Sequence, residues 1–202
     1  MTENRNNLFP VFLKIESLQT LIVGGGNVGL EKLTALLKSS PAISATVVAS
    51  RILPEIKSIA AENRRINVKE KPFEESDLDG HDIVFLATDD RSLHEDIRRM
   101  ARGRRLLLNV ADTPDLCDFY LGSVVTKGNL KIAISTNGKS PTIARRIREY
   151  LDEAIPDSVD DLLHNMNRIR DRIKGDLREK IRRLNEVTSS WVRKPDDEGS
   201  AR

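Results

Sequence analysis

Gly24, Gly26 and Gly29 fall at the spacing G-x-G-x-x-G, between an apolar run, Thr20–Val23, and a helical pattern, Val28–Leu37. In a strand–loop–helix unit this spacing suits a dinucleotide. The first glycine allows a tight turn, the second lets the backbone approach a pyrophosphate, and the third lets helix and strand pack closely. The N–H groups at the helix start would then face the phosphates. A glycine-rich turn with no ligand is the plain alternative. About twenty residues further on, where an acidic side chain usually binds the ribose hydroxyls, the chain has Ala49, Ser50 and Arg51. Ser50 suits a ribose hydroxyl and Arg51 suits a 2′-phosphate, so this position alone leaves NAD and NADP both open.

Two further segments carry groups able to act on a ligand. Thr88-Asp89-Asp90 follows the apolar run Ile83–Ala87, and Asn109-Val110-Ala111-Asp112 closes the run Leu106–Val110. Both fall at the carboxyl edge of a parallel sheet, where open α/β folds bind ligands. Asp112 is the candidate general base; its plain reading is to open the turn Asp112-Thr113-Pro114-Asp115. Asp89 and Asp90 are expected to cap the next helix or line the nucleotide pocket. The third segment, Ser135-Thr136-Asn137-Gly138-Lys139-Ser140-Pro141, leads into Arg145, Arg146 and Arg148. Ser140 as N-cap and Pro141 at the first helical position start a helix whose N-terminus, with Lys139, attracts anions. Position 133 is Ala, so the triphosphate-loop spacing is missing. A carboxylate-rich ligand suits the segment, and a solvated basic helix face is the plain reading.

The remaining reactive side chains show no such pattern. Arg98, Arg99, Arg102, Arg104 and Arg105 read as a solvated basic face. His81, His94 and His164 lack metal-ligand spacing and read as surface or helix-end residues, so no protein metal site is expected. Cys117 is the one cysteine, which excludes an internal disulfide or a cysteine zinc cluster, and nothing around it marks a nucleophile.

The elements that must position these groups follow from periodicity. Five short apolar runs, Thr20–Val23, Thr46–Ala49, Ile66–Val68, Ile83–Ala87 and Leu106–Val110, alternate with helical patterns at Val28–Leu37, Leu53–Glu62 and Leu93–Arg102. Charge-free runs of this kind suit strands covered on both faces, and the alternation predicts a parallel, Rossmann-type sheet. The crossover Lys71–His81 is the least helical, with Pro72 and Gly80 as breakers. After Asp112 the pattern becomes a hairpin, Phe119–Thr126 and Leu130–Ser135 about Lys127-Gly128-Asn129, then a helix from Ser140 through Tyr150 that ends by Pro156. From Ser158 to about Trp191 apolar residues recur every three or four positions, with Gly175 as a break and Trp191 as a packing anchor; Lys194–Arg202 reads as a disordered tail. The predicted domains are 8–113, nucleotide-binding; 114–150, hairpin and helix; 151–192, helical; and 193–202, the tail.

Composition narrows the function classes. The 202 residues are 39% hydrophobic and 32% charged, with 33 Lys and Arg against 31 Asp and Glu. A net charge of +2 gives no general basic excess, so nucleic acid is not an expected partner. The longest apolar run, Ile83–Ala87, has five residues, against about 20 for a membrane helix. No apolar h-region follows the polar start Met1–Asn7, so no signal peptide is read and a cytoplasmic location is expected.

Taken in order, Phe9-Pro10-Val11-Phe12-Leu13-Lys14, Val23-Gly24-Gly25-Gly26-Asn27-Val28, Ala87-Thr88-Asp89-Asp90, Asn109-Val110-Ala111-Asp112 with Cys117-Asp118-Phe119, and Ile134–Pro141 with Ala144-Arg145 closely resemble the precorrin-2 dehydrogenase/sirohydrochlorin ferrochelatase family of siroheme biosynthesis. The likeness covers about residues 8–155, with a weaker helical match beyond. It implies NAD-dependent oxidation of precorrin-2 to sirohydrochlorin and, in some members, insertion of ferrous iron as a substrate. It implies a homodimer formed through the region 114–150, and a helical C-terminal domain.

By position, the family's nucleotide contacts fall on Asn27, Val28, Ser50 and Arg51, and its essential aspartate on Asp112. With Gly24, Gly26, Gly29, Thr88 and Asp89 these make the expected nucleotide and catalytic site. Thr136, Asn137, Gly138, Lys139, Ser140, Arg145 and Arg146 make the expected binding site for the tetrapyrrole carboxylates. The family uses NAD without an acidic residue at the Ser50 position, which shifts the cofactor reading to NAD. A nucleotide-sensing module and an NADP-dependent reductase of another substrate are the competing readings.

Overall fold

A computed structural model describes residues 6–173 and 176–188. The readings at Gly175, Trp191 and the tail from Lys194 lie outside the described residues. The chain divides into two compact units: residues up to Leu121 together with 137–139, and residues 122–136 with those from 140 onward.

The first unit is built on five parallel strands, β1 Gln19–Gly25, β2 Ser44–Ile52, β3 Ile66–Glu70, β4 Ile83–Leu86 and β5 Leu107–Val110, in the order β3-β2-β1-β4-β5. Three helices, α1 Asn27–Ser39, α2 Pro54–Glu62 and α3 Arg91–Arg104, connect them. Side chains alternate across each strand. Ile22, Val47 and Phe85 therefore pack on one face with Leu33, Leu36 and Ile56 of α1 and α2. Leu21, Val23, Val84, Leu86, Leu108 and Val110 pack on the other with Ile97 of α3. Both faces are covered, which is why the strands read as unbroken apolar runs. In place of a third full helix, the crossover 71–82 has a single 3₁₀ turn, Glu75–Leu78. The buried Asp77 carboxylate holds it, accepting from the Glu74 N–H at 3.0 Å and pairing with Lys71 at 2.8 Å and Lys69 at 3.2 Å.

The residues after β5 depart from expectation. The sequence predicts a strand from Phe119, but only β6 Ser123–Lys127 forms, paired antiparallel with β7 Leu130–Ile134. Residues 117–119 instead run along the free edge of β5. The Asp118 N–H donates to the Leu108 carbonyl at 2.8 Å, and the Asp118 carboxylate accepts the Leu108 N–H at 3.0 Å. Cys117 Sγ accepts from the Val110 N–H and donates to the Val110 carbonyl. Asn109 Nδ2 donates to the Phe119 carbonyl at 2.9 Å. An edge strand presents unpaired N–H and C=O groups; here side chains and one backbone segment take them up. Phe119 also closes edge-to-face on Phe85, with ring centroids 5.6 Å apart. Burial pushes the Cys117 thiol above its usual value, consistent with a structural role.

In the second unit, Lys127 pairs with Leu130, so the turn is the two-residue Gly128-Asn129 rather than the three-residue turn read from sequence. Gly128 has φ +56° and lies against the Asp160 carboxylate. That carboxylate accepts the N–H of Asn129 at 2.8 Å and its side-chain amide at 2.9 Å. Helix α4 Pro141–Ala154 starts as the sequence indicates: Ser140 is its N-cap and accepts the Ile143 N–H at 3.2 Å, with Pro141 in the first turn. Helices α5 Val159–Arg172 and α6 Leu177–Thr188 follow.

Candidate functional site

Strand order reverses between β1 and β4, and open α/β sheets bind ligands outside the carboxyl ends of the strands at such a point. A cleft of about 790 Å³ lies there, within the first unit. It brings together Gly24–Val28 after β1, Ser50 and Arg51 in β2, Thr88 and Asp89 after β4, and Asp112 after β5. Every expected nucleotide and catalytic residue except Gly29 lines it.

The glycines divide by cause. At Gly24 φ is +124°, and a Cβ would collide with the Ala87 carbonyl. A Cβ at Gly29 would collide with the Gly24 carbonyl. Gly25, formally a free position in the spacing, is equally restricted, by Arg51 and Ile52. Gly26 is different: its backbone is extended, with φ −89° and ψ −164°, and a Cβ there would meet no atom within 4 Å. Neither strain nor packing accounts for a glycine at 26, whereas an approaching pyrophosphate would. The start of α1 agrees. Gly26 as N-cap has no side chain to offer the first N–H groups, whereas Asp90 caps α3 by accepting the Leu93 N–H at 3.0 Å. The open donors, the bare glycine and the positive end of a 13-residue helix fit a dinucleotide. Ser50 and Arg51 are both exposed beside it.

Asp90 is therefore the cap and Asp89 the lining residue, dividing the two roles read for that pair. Asp112 is exposed to the cleft and has φ +53°, a left-handed conformation for a non-glycine residue. Thr113 braces it, its hydroxyl donating to the Ala111 carbonyl at 3.2 Å. Non-glycine residues held in this region cluster at functional sites.

Sequence reasoning missed His94. The sequence suggests a surface or helix-end residue, yet it is 3% exposed and lines the cleft from the first turn of α3, with Nε2 2.8 Å from Thr88 Oγ1. Burial pushes its imidazole below the usual value, so it is neutral at pH 7. A lone polar residue in a helical pattern carries no signal of burial. The clue was its place just after Thr88-Asp89-Asp90.

The expected carboxylate-binding segment has its own geometry. Thr136 Oγ1 donates to the Ser140 carbonyl at 3.1 Å and accepts the Ser140 N–H at 3.2 Å, closing the loop before α4. Asn137 and Gly138 both have positive φ, +54° and +73°. On α4, Glu149 accepts from Arg145 at 2.9 Å, Arg146 at 2.8 Å and Arg148 at 3.5 Å, and the bonds from Arg145 and Arg146 hold its carboxyl below the usual range. The other arginine cluster is a set of ion pairs: Arg98 with Asp118, Arg99 with Asp96, and Arg104 with Glu75 and Asp79. Among the described residues no group of three His, Cys, Asp or Glu forms a metal site, and no helix is long and apolar enough to cross a membrane.

Residues 11–123 match the family described as "Putative NAD(P)-binding", and residues 127–154 match the family described as "Sirohaem biosynthesis protein central". The siroheme synthase of Methylococcus capsulatus is 36% identical over 173 residues, which is 86% of this chain and 34% of that protein. The siroheme synthase of Nitrosococcus oceani is 36% identical over 165 residues, 82% of this chain and 35% of that protein. This chain thus spans about a third of the length of these curated relatives. The solved structure of SirC, a precorrin-2 dehydrogenase, matches with a TM-score of 0.70 at 25% identity over 89% of each chain.

Proposed function

Because this chain belongs to the NAD(P)-binding family of the siroheme synthases, we propose that it oxidises precorrin-2 to sirohydrochlorin with NAD. The observation that carries this reading is the cleft at the β1/β4 reversal, where a glycine that nothing in the protein requires faces an uncapped helix start. The likeness to a precorrin-2 dehydrogenase along nearly the whole chain supports the choice of substrate.

NAD supplies the hydride acceptor. Gly24, Gly26 and the N–H groups of Asn27 and Val28 would hold its pyrophosphate, Gly29 keeps α1 against β1, and Ser50 and Arg51 would meet the ribose. Thr88 and Asp89 line the remaining wall. Asp112 accepts the proton that leaves the macrocycle as its hydride departs. The substrate is a polycarboxylate, and Lys139, Arg145 and Arg146, with the α4 N-terminus at Ser140 and the loop Thr136-Asn137-Gly138, bind its carboxylates by charge-assisted hydrogen bonds.

The reading extends to a homodimer formed through residues 114–150, to ferrous iron as a second substrate inserted into sirohydrochlorin, and to a cytoplasmic setting. Apolar side chains exposed on the second unit, Val124, Ile143, Ile147 and Tyr150, favour the dimer. Incubation with precorrin-2 and NAD, followed by absorption, tests the main activity: the sirohydrochlorin spectrum must appear with NAD and not without it. Iron insertion is assayed separately on purified sirohydrochlorin, after subtracting the spontaneous rate.

A further inference from the structure

Among the groups that the proposed chemistry leaves unused, His94 stands out. It is a nearly fully buried titratable side chain at the wall of the cleft, bonded to a residue that lines the cleft. Its Nε2 lies 2.8 Å from Thr88 Oγ1, while its Nδ1 is buried with no hydrogen-bond partner.

These contacts decide where the single proton of the neutral imidazole sits. A hydrogen on Nδ1 would be a buried donor with nothing to accept it. A bare Nδ1 only leaves a lone pair unused, the smaller of the two losses. Nδ1 has no partner, so the nitrogen turned to the Thr88 hydroxyl is the one that donates. The proton therefore lies on Nε2. Thr88 Oγ1 accepts it, and the Thr88 hydroxyl hydrogen has no protein acceptor among its hydrogen bonds.

We propose that His94 is a positioning residue that fixes the Thr88 hydroxyl as a hydrogen-bond donor into the nucleotide cleft, aimed at an acceptor oxygen of the bound dinucleotide. This rests on the reading of the cleft as the NAD site. Without His94 the hydroxyl would be free to turn to the nearest acceptor, including the carbonyl of its own residue. With the imidazole in place its N–H occupies a lone pair of Oγ1, so the hydroxyl hydrogen points away from the ring and is left to the ligand. The charges that act on the ring are those of Asp89, Asp90 and Arg91, and the neutral ring adds none of its own.

The test has two readouts. The first is the ¹⁵N spectrum of the ligand-free protein, in which the His94 ring must show a protonated Nε2 and a bare Nδ1; a proton on Nδ1 overturns the proposal. The second is a double-mutant cycle on the NAD dissociation constant, with a thermal melt of each variant to confirm folding. Thr88→Val should weaken NAD about tenfold, the loss of one oriented hydrogen bond, and Thr88→Ser should restore it. His94→Leu should weaken NAD by a similar factor, and His94→Gln, whose amide can donate from nearly the same place, should recover most of it.

In the Thr88→Val background, His94→Leu should cost nothing further. A purely structural histidine would act equally in both backgrounds, and that additive result overturns the proposal. Wild-type protein that binds no NAD removes the reading of the cleft itself, and the inference with it. That outcome differs from an additive cycle in a protein that does bind.

Discussion

Gly29 lies so close to Gly24 that a Cβ on the one would fall inside the carbonyl oxygen of the other, while between them Gly26 faces open space. Glycines of one motif thus do unlike jobs. Gly29→Ala should destabilise the protein, because helix α1 must move off β1, whereas Gly26→Ala should melt like the wild type. Gly26→Leu should fold and lose NAD binding. Calorimetric titration beside thermal melts separates the two, and unchanged NAD affinity in Gly26→Leu would refute the assignment of the pyrophosphate site.

Asp112 offers a test of the proton acceptor that spares the fold. Its φ of +53° is tolerated by Asn better than by most residues, so Asp112→Asn removes the basic carboxylate without adding backbone strain. Precorrin-2 oxidation should fall by a factor on the order of 10² to 10⁴, with NAD affinity unchanged. Wild-type turnover in this variant would remove Asp112 from the mechanism.

Asp118 ties the β5 edge to α3. Its burial works to raise its pKa, but the bonds from Arg98 and the Leu108 N–H outweigh it, and the carboxyl stays below its ordinary value. A depressed carboxylate stabilises the fold fully above its unfolded pKa, and loses that stabilisation as pH falls through the folded value. Acid titration of stability should therefore steepen below about pH 4, and Asp118→Asn should flatten that limb. Arg98→Met should cost about 1–3 kcal/mol at pH 7; a melt that Asp118→Asn leaves unchanged in its pH dependence would count against this reading.

Arg145 and Arg146 share Glu149, so carboxylates of the proposed substrate would compete with it. Replacing either arginine by Ala should raise KM for the tetrapyrrole about tenfold, leaving NAD affinity alone. A change in NAD affinity instead would move these residues to the nucleotide site.

The apolar face of the second unit predicts self-association. Ile143 is 53% exposed and Ile147 41%, at i and i+4 on α4, so both point one way. Light scattering should report a dimer at micromolar concentration, and Ile147→Asp should shift it toward monomer. A wild-type monomer retaining full activity would contradict the homodimer.

Much of this molecule can be read along the chain because its signals are local. Unbroken apolar runs identify strands covered on both faces, Ser140-Pro141 starts α4 through its own hydroxyl and ring, and the spacing of Gly24, Gly26 and Gly29 between a strand and a helix marks the loop proposed to hold the nucleotide. Other features depend on residues that only folding brings together. Cys117 and Asp118 serve the edge of β5, and a thiol and a carboxylate in a loop do not announce that their partners are the backbone of Leu108 and Val110. The motif spacing gives Gly26 and Gly29 different roles by their places in it, but only the folded chain shows what a side chain at each would meet. His94 reads as one polar residue in a polar helix, and only the packing of α3 against the end of β4 buries it, removes its charge and sets it against Thr88. Periodicity and turn chemistry act over a few residues and survive in the linear sequence. Burial and the pairing of distant polar groups are properties of the assembled sheet and appear only with it.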